Sequence, residues 1–328
     1  MWAWWMRFCA ALDIKRGRKV GAELRRELGE RMSEFPELHT LWNYNDPAET
    51  AVRFQALLPE VEASDDRAYH VELLSQIART HSLRRQFDEA HALLDQAEAM
   101  LTAGMIVPKI RCLLERGRSF NSAGEPQRAL PLFYEAFELG TAVAPQADFH
   151  TIDAAHMIAI AEPDPADQIR WNEKALDMAE ATPDARASGW RGSLYNNLGW
   201  SYHDKGDYEE ALIIFEKARD WHEKHRQNKP ETIRIAKWCV GRALRSLDRA
   251  PEALAIQQAL LAEYKDIGQT DGFVYEEIGE CLLVLGREAE ARPYFAQAHQ
   301  ELSQVDWFVA SEPERLARLA QFGGESGK

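Results

Sequence analysis

The chain has few of the residues that interrupt helices or crosslink small folds. Its 328 residues include four cysteines, 14 prolines and 19 glycines. No two cysteines are close enough for a C-x-x-C motif, which excludes the common zinc and redox motifs. Four cysteines in so long a chain also do not fit a disulfide-stapled secreted domain. We therefore expect reduced thiols in a cytoplasmic protein, and the sparse turn residues favour long helices.

Long apolar runs and a positive charge balance are also missing. No window reaches the roughly 18 apolar residues that a membrane-spanning helix needs. The chain has 39 Lys+Arg against 53 Asp+Glu, a formal net charge of −14. This acidity argues against nucleic acid as a partner, because nucleic-acid binders present a basic surface. The composition therefore favours a helical protein with neither a membrane span nor a nucleic-acid partner.

Sequence motifs for catalysis and for metal binding are absent. There is no G-x-S-x-G and no H-E-x-x-H motif. His222 and His225 are spaced to share a helix face, but no third ligand stands at a known spacing. We expect no catalytic residues, no metal and no cofactor.

Residues 1–33 differ from the rest of the chain in charge. They contain eight Lys/Arg and four Asp/Glu, so they carry +4 and the remainder carries −18. One interpretation is a basic, tryptophan-bearing amphipathic helix that contacts an anionic membrane or a partner. The other is a loosely held terminal extension.

A pattern of small and aromatic residues recurs along the chain. Its clearest copy has Leu198-Gly199-x-x-Tyr202, then Gly206 in a polar turn, then Ala211, Phe215 and Ala218. Related copies lie around 78, 117, 156, 241 and 279, at steps of 38–43 residues. Glycine or alanine on one helix lets a second helix approach, and an aromatic ring fills the remaining space. A glycine in the turn can take the left-handed conformation that ends a helix.

These residues resemble the tetratricopeptide repeat, whose usual period is 34. The resemblance implies an all-α, right-handed solenoid (superhelix) of stacked antiparallel helix pairs. It also suggests a stand-alone bacterial type with extended repeats. We expect a repeat domain at 34–310, beginning with a helical pair at 34–62. A capping helix at 311–322 and a flexible tail at 323–328 follow. The degenerate copy at 148–182 is expected to pack less tightly, through drift or as a hinge.

The resemblance also implies which residues line a concave binding groove. In this family the first helix of each pair faces inward. Asn197 matches one position of the chaperone-tail clamp, but its flanking positions cannot complete that clamp. The predicted groove residues are Arg79, Arg118, Asn121, Asn196, Asn197, Trp200, His203, Trp238, Arg242 and Arg245.

Two interpretations of the inner arginines remain open. Arginine and tryptophan are common at interfaces, and arginine suits carboxylates, which favours an acidic or C-terminal peptide as partner. Alternatively, the arginines pair with inner acids and form a neutral wall. The paired acids would be Glu72, Glu115, Asp153, Glu276 and Glu277.

We expect a non-catalytic adaptor or scaffold that binds protein or peptide. Apolar edges on terminal repeats leave self-association open. A second hypothesis is a regulator whose superhelix changes shape when a peptide binds. A third is an enzyme, for which His203 and Asp204 form the only suggestive pair.

Overall fold

The computed structural model describes residues 35–226 and 229–324. Residues 1–33, predicted to be a separate extension, therefore lie outside the described residues, as does most of the predicted tail. The described chain divides near residue 194 into two compact units. We call residues 35–194 the N-terminal unit and the residues from 195 onward the C-terminal unit.

The N-terminal unit is built from α-helices joined by short turns. A single 3-10 turn, Leu38–Leu41, precedes them, and the four-residue α8 follows the last pair. The helices are α1 (Pro47–Glu62), α2 (Arg67–Leu83), α3 (Phe87–Ala99), α4 (Ile106–Ser122), α5 (Pro126–Ala142), α6 (Asp148–Ala161), α7 (Pro165–Ala181) and α8 (Ala185–Ser188).

The C-terminal unit repeats this arrangement. Its first helix, α9, begins at Arg191, just before the division. Its helices are α9 (Arg191–Lys205), α10 (Tyr208–His225), α11 (Pro230–Ser246), α12 (Ala250–Asp266), α13 (Gly272–Val284), α14 (Glu288–Leu302), α15 (Asp306–Ser311) and α16 (Pro313–Gly323). Successive helices form stacked antiparallel pairs, and no strand occurs within 35–226 or 229–324. The all-α solenoid class is confirmed.

The small residues of the repeat pattern let the two helices of a pair pack closely. A Cβ built on Gly117 would lie 2.4 Å from Phe133 Cε1, and one on Gly199 would lie 2.4 Å from Phe215 Cε1. Both rings are fully buried. A methyl group at either glycine would therefore overlap the ring that fills the space between the helices.

The turns inside five helix pairs share one backbone conformation, which the turn between α6 and α7 lacks. Gly124, Gly206 and Gly286 have φ between 71° and 90° at this position. Arg85 and Asp248 occupy the corresponding position of two other pairs with φ near 60°. The left-handed conformation closes the helix end. Glycine adopts it most easily, but an arginine and an aspartate adopt it in two of the pairs.

The chain before α1 differs from the predicted helical pair at 34–62. Only α1 is a full helix, and residues 35–46 are otherwise irregular apart from the 3-10 turn. Asp46 caps α1, since its side chain accepts a hydrogen bond of 2.9 Å from the Glu49 amide. Leu38 and Phe54 are buried together with side chains of α2, so the irregular segment covers the end of the stack.

The degenerate copy is well packed rather than loose. Helix α6 is buried along most of its length. The His156 ring lies 5.2 Å from the ring of Trp190, which follows α8. The segment that carries α8 and Trp190 therefore packs on α6, where the repeat pattern lacks its usual aromatic and alanine residues.

The predicted final helix is present as α16. It begins at Pro313 and ends before Gly324, which has a left-handed φ of 88°. Leu319 of α16 is fully buried, so the helix covers part of the last pair. In the described part of the chain, no helix combines the length and apolarity needed to span a bilayer.

Candidate functional site

The first helices of the N-terminal unit share a polar face held by ion pairs. Arg79 of α2 contacts Glu115 of α4 at 3.1 Å, and Arg118 contacts the same carboxylate at 3.0 Å. Arg118 also bonds Asp153 of α6. Arg111 and Glu72 form a further pair at 2.8 Å. We call this face the N-terminal wall; its residues are Glu72, Gln76, Arg79, Arg111, Glu115, Arg118 and Asp153.

Glu115 is the centre of the N-terminal wall. It is 5% exposed, so its charge has little contact with water. Burial alone would raise the pKa of Glu115, but the charges of Arg118, Arg79 and Arg111 outweigh that effect and lower it. Burial similarly opposes the charge on Arg118, whereas Asp153 and Glu115 raise its pKa overall. The residues around Glu115 are therefore ionised, and their positive and negative charges balance.

Two aromatic residues of the irregular segment lie against this wall. The Trp42 indole N–H donates a 2.9 Å hydrogen bond to Gln76 Oε1, and the Gln76 amide donates to Glu115. Trp42 and Tyr44 stack at 4.6 Å, and Arg79 Cζ lies 5.7 Å from each ring centroid. Arg79 therefore contacts aromatic faces as well as a carboxylate.

The C-terminal unit carries a comparable face, which we call the C-terminal wall. Arg245 of α11 donates two 2.8 Å hydrogen bonds to Glu277 of α13, and Arg242 contacts the same carboxylate at 3.3 Å. Glu276 accepts two 2.6 Å bonds from Arg315 of α16. Arg318 of α16 also pairs with Glu280 of α13. The wall residues are Arg242, Arg245, Glu276, Glu277, Glu280, Arg315 and Arg318.

The four predicted arginines thus lie on these walls, and each pairs with a carboxylate. Of the two interpretations left open by the sequence, pairing within the wall describes Arg79, Arg118 and Arg245 well. Arg242 is different, because it shares Glu277 with Arg245, whereas on the other wall Arg118 shares Glu115 with Arg79 but also pairs with Asp153. Burial and the nearby Arg245 and Arg315 lower the pKa of Arg242 despite Glu277.

Several other predicted groove residues are packing residues in the structure. Trp238 is 7% exposed and donates a 3.1 Å hydrogen bond to the Phe273 carbonyl. Asn196 accepts from the Cys239 thiol, at 3.6 Å between oxygen and sulfur. Asn121 and Asn197 are buried as well. The side chains of Trp238 and Asn196 therefore contact the first helix of the next pair.

Trp200 and His203 lie together on α9. Trp200 is partly buried, with its ring 5.1 Å from the His203 ring and 6.1 Å from the Trp238 ring. His203 Nε2 is 3.0 Å from Ser246 Oγ, whereas Nδ1 is 3.9 Å from Asp204 Oδ1. At 3.9 Å the carboxylate does not hydrogen-bond the ring, and Ser246 Oγ accepts a 2.6 Å bond from Arg242. This arrangement does not have the geometry of a catalytic triad.

Sequence reasoning missed Trp42, Tyr44, Arg111 and the two arginines of α16. The sequence does contain a signal for the wall pairs, because they join oppositely charged residues that are about one repeat apart. Arg79 and Glu115 are 36 residues apart, and Arg315 and Glu276 are 39 apart. The arginines of α16 lie outside the repeat copies that the sequence pattern identifies.

Two buried histidines lie behind the N-terminal wall on α6. His156 is 1% exposed, and burial lowers its pKa to about 4, with Arg118 acting in the same direction and Asp153 opposing. Burial and the charges of Arg111, Arg186 and Arg118 also lower the pKa of His150. Both rings are therefore neutral at pH 7. In the described part of the chain, no three His, Cys, Asp or Glu side chains converge to hold a metal.

The His156 pKa predicts a pH dependence of stability. A histidine with an unfolded pKa near 6.5 takes up a proton in the unfolded state first, so its contribution is complete above pH 6.5 and falls toward pH 4. Between pH 7 and pH 5 we expect His156 to account for about 2 kcal/mol of lost unfolding free energy. Urea unfolding of wild type and His156→Gln at both pH values measures this difference.

The exposed His225 provides the control for this experiment. His225→Gln should keep the wild-type dependence on pH. If wild type and His156→Gln lose the same free energy between pH 7 and pH 5, His156 is not held neutral in the folded protein.

Comparisons with known proteins show what the sequence and the fold resemble. The family model described as "Tetratricopeptide repeat" matches residues 192–223, within α9 and α10. None of the curated proteins matches this sequence.

Solved structures similar to this chain have low sequence identity. The STAND protein PH0952 from Pyrococcus horikoshii, which has a tetratricopeptide repeat sensor, gives a TM-score of 0.65 at 14% identity over 86% of this chain and 44% of that chain. The APC/C hetero-tetramer Cut9–Hcn1 gives 0.58 at 13% identity over 92% and 51%. NprR in complex with its cognate peptide NprX gives 0.53 at 16% identity over 87% and 83%. At such identities the likeness concerns the fold.

Proposed function

Because this chain is a tetratricopeptide repeat protein, we propose that it binds protein or peptide segments along its two walls, as a non-catalytic adaptor or scaffold. The observation that carries the proposal is the way the N-terminal wall holds the irregular segment before α1. Arg79 lies over Trp42 and Tyr44, and Gln76 accepts the Trp42 indole hydrogen. An extended partner segment could make the same two kinds of contact. An arginine would lie over an aromatic ring, and an amide oxygen would accept a hydrogen bond from a polar N–H or O–H group.

Charge on the C-terminal wall favours an acidic partner segment. Arg242 and Arg245 share one carboxylate, Glu277. Burial is the main cause that lowers the pKa of Arg242, and the positive charges of Arg245 and Arg315 act in the same direction. A carboxylate from a partner would supply the missing negative charge. Arginine is well suited to this, because its planar fork can donate two parallel hydrogen bonds.

Binding of labelled dodecapeptide pools tests the proposal. We expect a glutamate-rich pool to bind the full chain at least tenfold more tightly than a lysine-rich pool, as measured by fluorescence anisotropy. Arg242→Gln should weaken binding of the glutamate-rich pool, since it removes the least compensated charge of the C-terminal wall. The fold should survive, because Arg245 still holds Glu277 through two hydrogen bonds.

The matched control is Arg170→Gln on the second helix α7. The Arg170 side chain is 67% exposed and pairs with Asp167 of its own helix. This variant should bind the glutamate-rich pool as wild type does. Equal binding of both pools by all three proteins would contradict the proposal.

The likeness to NprR, solved with its cognate peptide, favours a second candidate function. In this alternative the chain is a regulator that changes shape when a peptide binds. Small-angle scattering distinguishes the two, because a regulator would change its radius of gyration on adding a bound peptide. An unchanged radius favours the adaptor.

A further inference from the structure

Arg186, on the short helix α8, carries a charge that the described residues do not pair. Its guanidinium carbon lies 3.7 Å from the centroid of the Phe149 ring. Its Nε is buried and has no hydrogen-bond partner within 35–226 and 229–324. Across those ranges no carboxylate forms an ion pair with it. Such an arrangement is costly, since a buried charge normally has a partner.

The positive charge of a second arginine, Arg111, acts on Arg186 and increases that cost. Arg111 pairs through Nη1 with Glu72, and its own Nε is buried without a partner among the described residues. Burial is the main reason that the pKa of Arg186 falls to about 10, and the positive charge of Arg111 acts in the same direction. The nearby His150 is neutral, so it neither adds to nor relieves this positive charge.

The acidic residues near Arg186 are engaged elsewhere. Glu37 has a side chain that is 68% exposed and lies 3.2 Å from His39. Asp184 accepts a 2.7 Å hydrogen bond from the backbone amide of Arg186 and so caps α8. On the N-terminal wall, Glu72, Glu115 and Asp153 are all bound by other arginines. None of these acidic residues therefore forms an ion pair with Arg186.

We propose that Arg186 and Arg111 bind one carboxylate of a partner peptide, with Phe149 as the apolar floor of the site. A single carboxylate matches the unpaired charge of Arg186. The Nη groups of Arg186 and Nη2 of Arg111, which donate no hydrogen bond within the described residues, are donors suited to it. The carboxylate belongs to an acidic side chain or to the peptide's C-terminus. This inference rests on the proposed peptide-binding function and names the chemical group that the N-terminal unit recognises.

Three short peptides of otherwise identical sequence test the site. One has an internal glutamate and an amidated end, the second has a free C-terminal carboxylate and no glutamate, and the third has neither. A ligand of the folded state raises the urea-unfolding midpoint in proportion to its binding. We expect the midpoint of the full chain to rise with the first or second peptide and not with the third. Whichever of the two gives the larger rise identifies the source of the carboxylate.

Substitution of Arg186 tests the residue itself. In Arg186→Gln and in Arg186→Met, which keeps an apolar stem over Phe149, the apparent dissociation constant should increase at least tenfold. Without peptide, both variants should unfold at the same urea concentration as wild type or at a higher one, because a poorly compensated charge has been removed. Arg128→Gln, at a side chain that is 62% exposed, should bind as wild type does.

Two outcomes overturn the inference. One is a carboxylate-dependent rise that is as large in Arg186→Gln and Arg186→Met as in wild type. The other is the absence of any rise with either carboxylate peptide in wild type. If the glutamate-rich dodecapeptide pool still binds the chain in either case, the proposed function stands and only this site is wrong.

Discussion

Replacing Gly117 with alanine is expected to lower the free energy of unfolding by about 2 kcal/mol. The added methyl carbon would lie 2.4 Å from the buried ring of Phe133, and overpacking of this kind costs roughly 1–3 kcal/mol or more. Alanine's better helix propensity returns about 1 kcal/mol, so the expected loss is a net value. Urea unfolding at pH 7 measures it.

Gly104 and Phe133 supply the controls for this prediction. A Cβ on Gly104 would meet no atom within 4 Å, so Gly104→Ala should change stability by less than about 0.5 kcal/mol. Adding Phe133→Leu to Gly117→Ala should cost less than Phe133→Leu alone, because the smaller side chain makes room for the methyl group. A Gly117→Ala protein as stable as wild type would show that the two helices do not approach as closely as described.

Replacing Glu115 with glutamine is expected to destabilise the protein by about 3 kcal/mol, since removing one member of a buried charge network leaves its partners uncompensated. Arg79 would lose its carboxylate, and Arg118 would keep only Asp153. Glutamine has nearly the same shape, so the loss reports charge rather than packing. Urea unfolding of Glu115→Gln at pH 7 gives the value.

A surface pair provides the comparison for Glu115. Glu125 pairs with Arg128 at 2.5 Å, but both side chains are well exposed. Glu125→Gln should therefore cost less than about 1 kcal/mol. In the double variant Glu115→Gln/Arg79→Gln, part of the lost stability should return, because one uncompensated charge is gone. Similar losses for Glu115→Gln and Glu125→Gln would mean that the N-terminal wall does not stabilise the stack.

The repeat positions could be predicted from sequence because their physics is local. Gly117 and Phe133 are 16 residues apart within one helix pair, and the turn between them contains Gly124. Such a pattern involves only the two helices of one pair, so it recurs in several copies and can be recognised in the sequence. The capping role of Asp46 was predictable for the same reason, since it involves the amide of Glu49 three residues later.

The pairing on the walls was harder to predict because it depends on how successive pairs stack. Arg118 and Asp153 are 35 residues apart, and their contact requires the two first helices to lie side by side. The sequence allowed both exposed and paired arginines, and only the stacking decides between them. Arg186 was missed for another reason, because it lies on an inserted helix between pairs and so has no position in the repeat.

The proposed function also changes the meaning of the net charge of −14. Most wall arginines are matched by carboxylates of a neighbouring first helix. Arg186 in one unit has no ion pair within the described residues, and Arg242 in the other shares its carboxylate with Arg245. We therefore expect an acidic partner to bind at these two arginines and not through long-range attraction to the whole surface.

Hydrogen–deuterium exchange of the full chain, with and without a bound acidic dodecapeptide, tests most directly whether partners bind at the walls. Binding there predicts slower exchange in first helices such as α4, α6, α11 or α13, or in the link that carries Arg186. Exchange in the second helices α3, α5, α12 and α14 should be unchanged. Protection confined to those second helices would contradict binding at the walls.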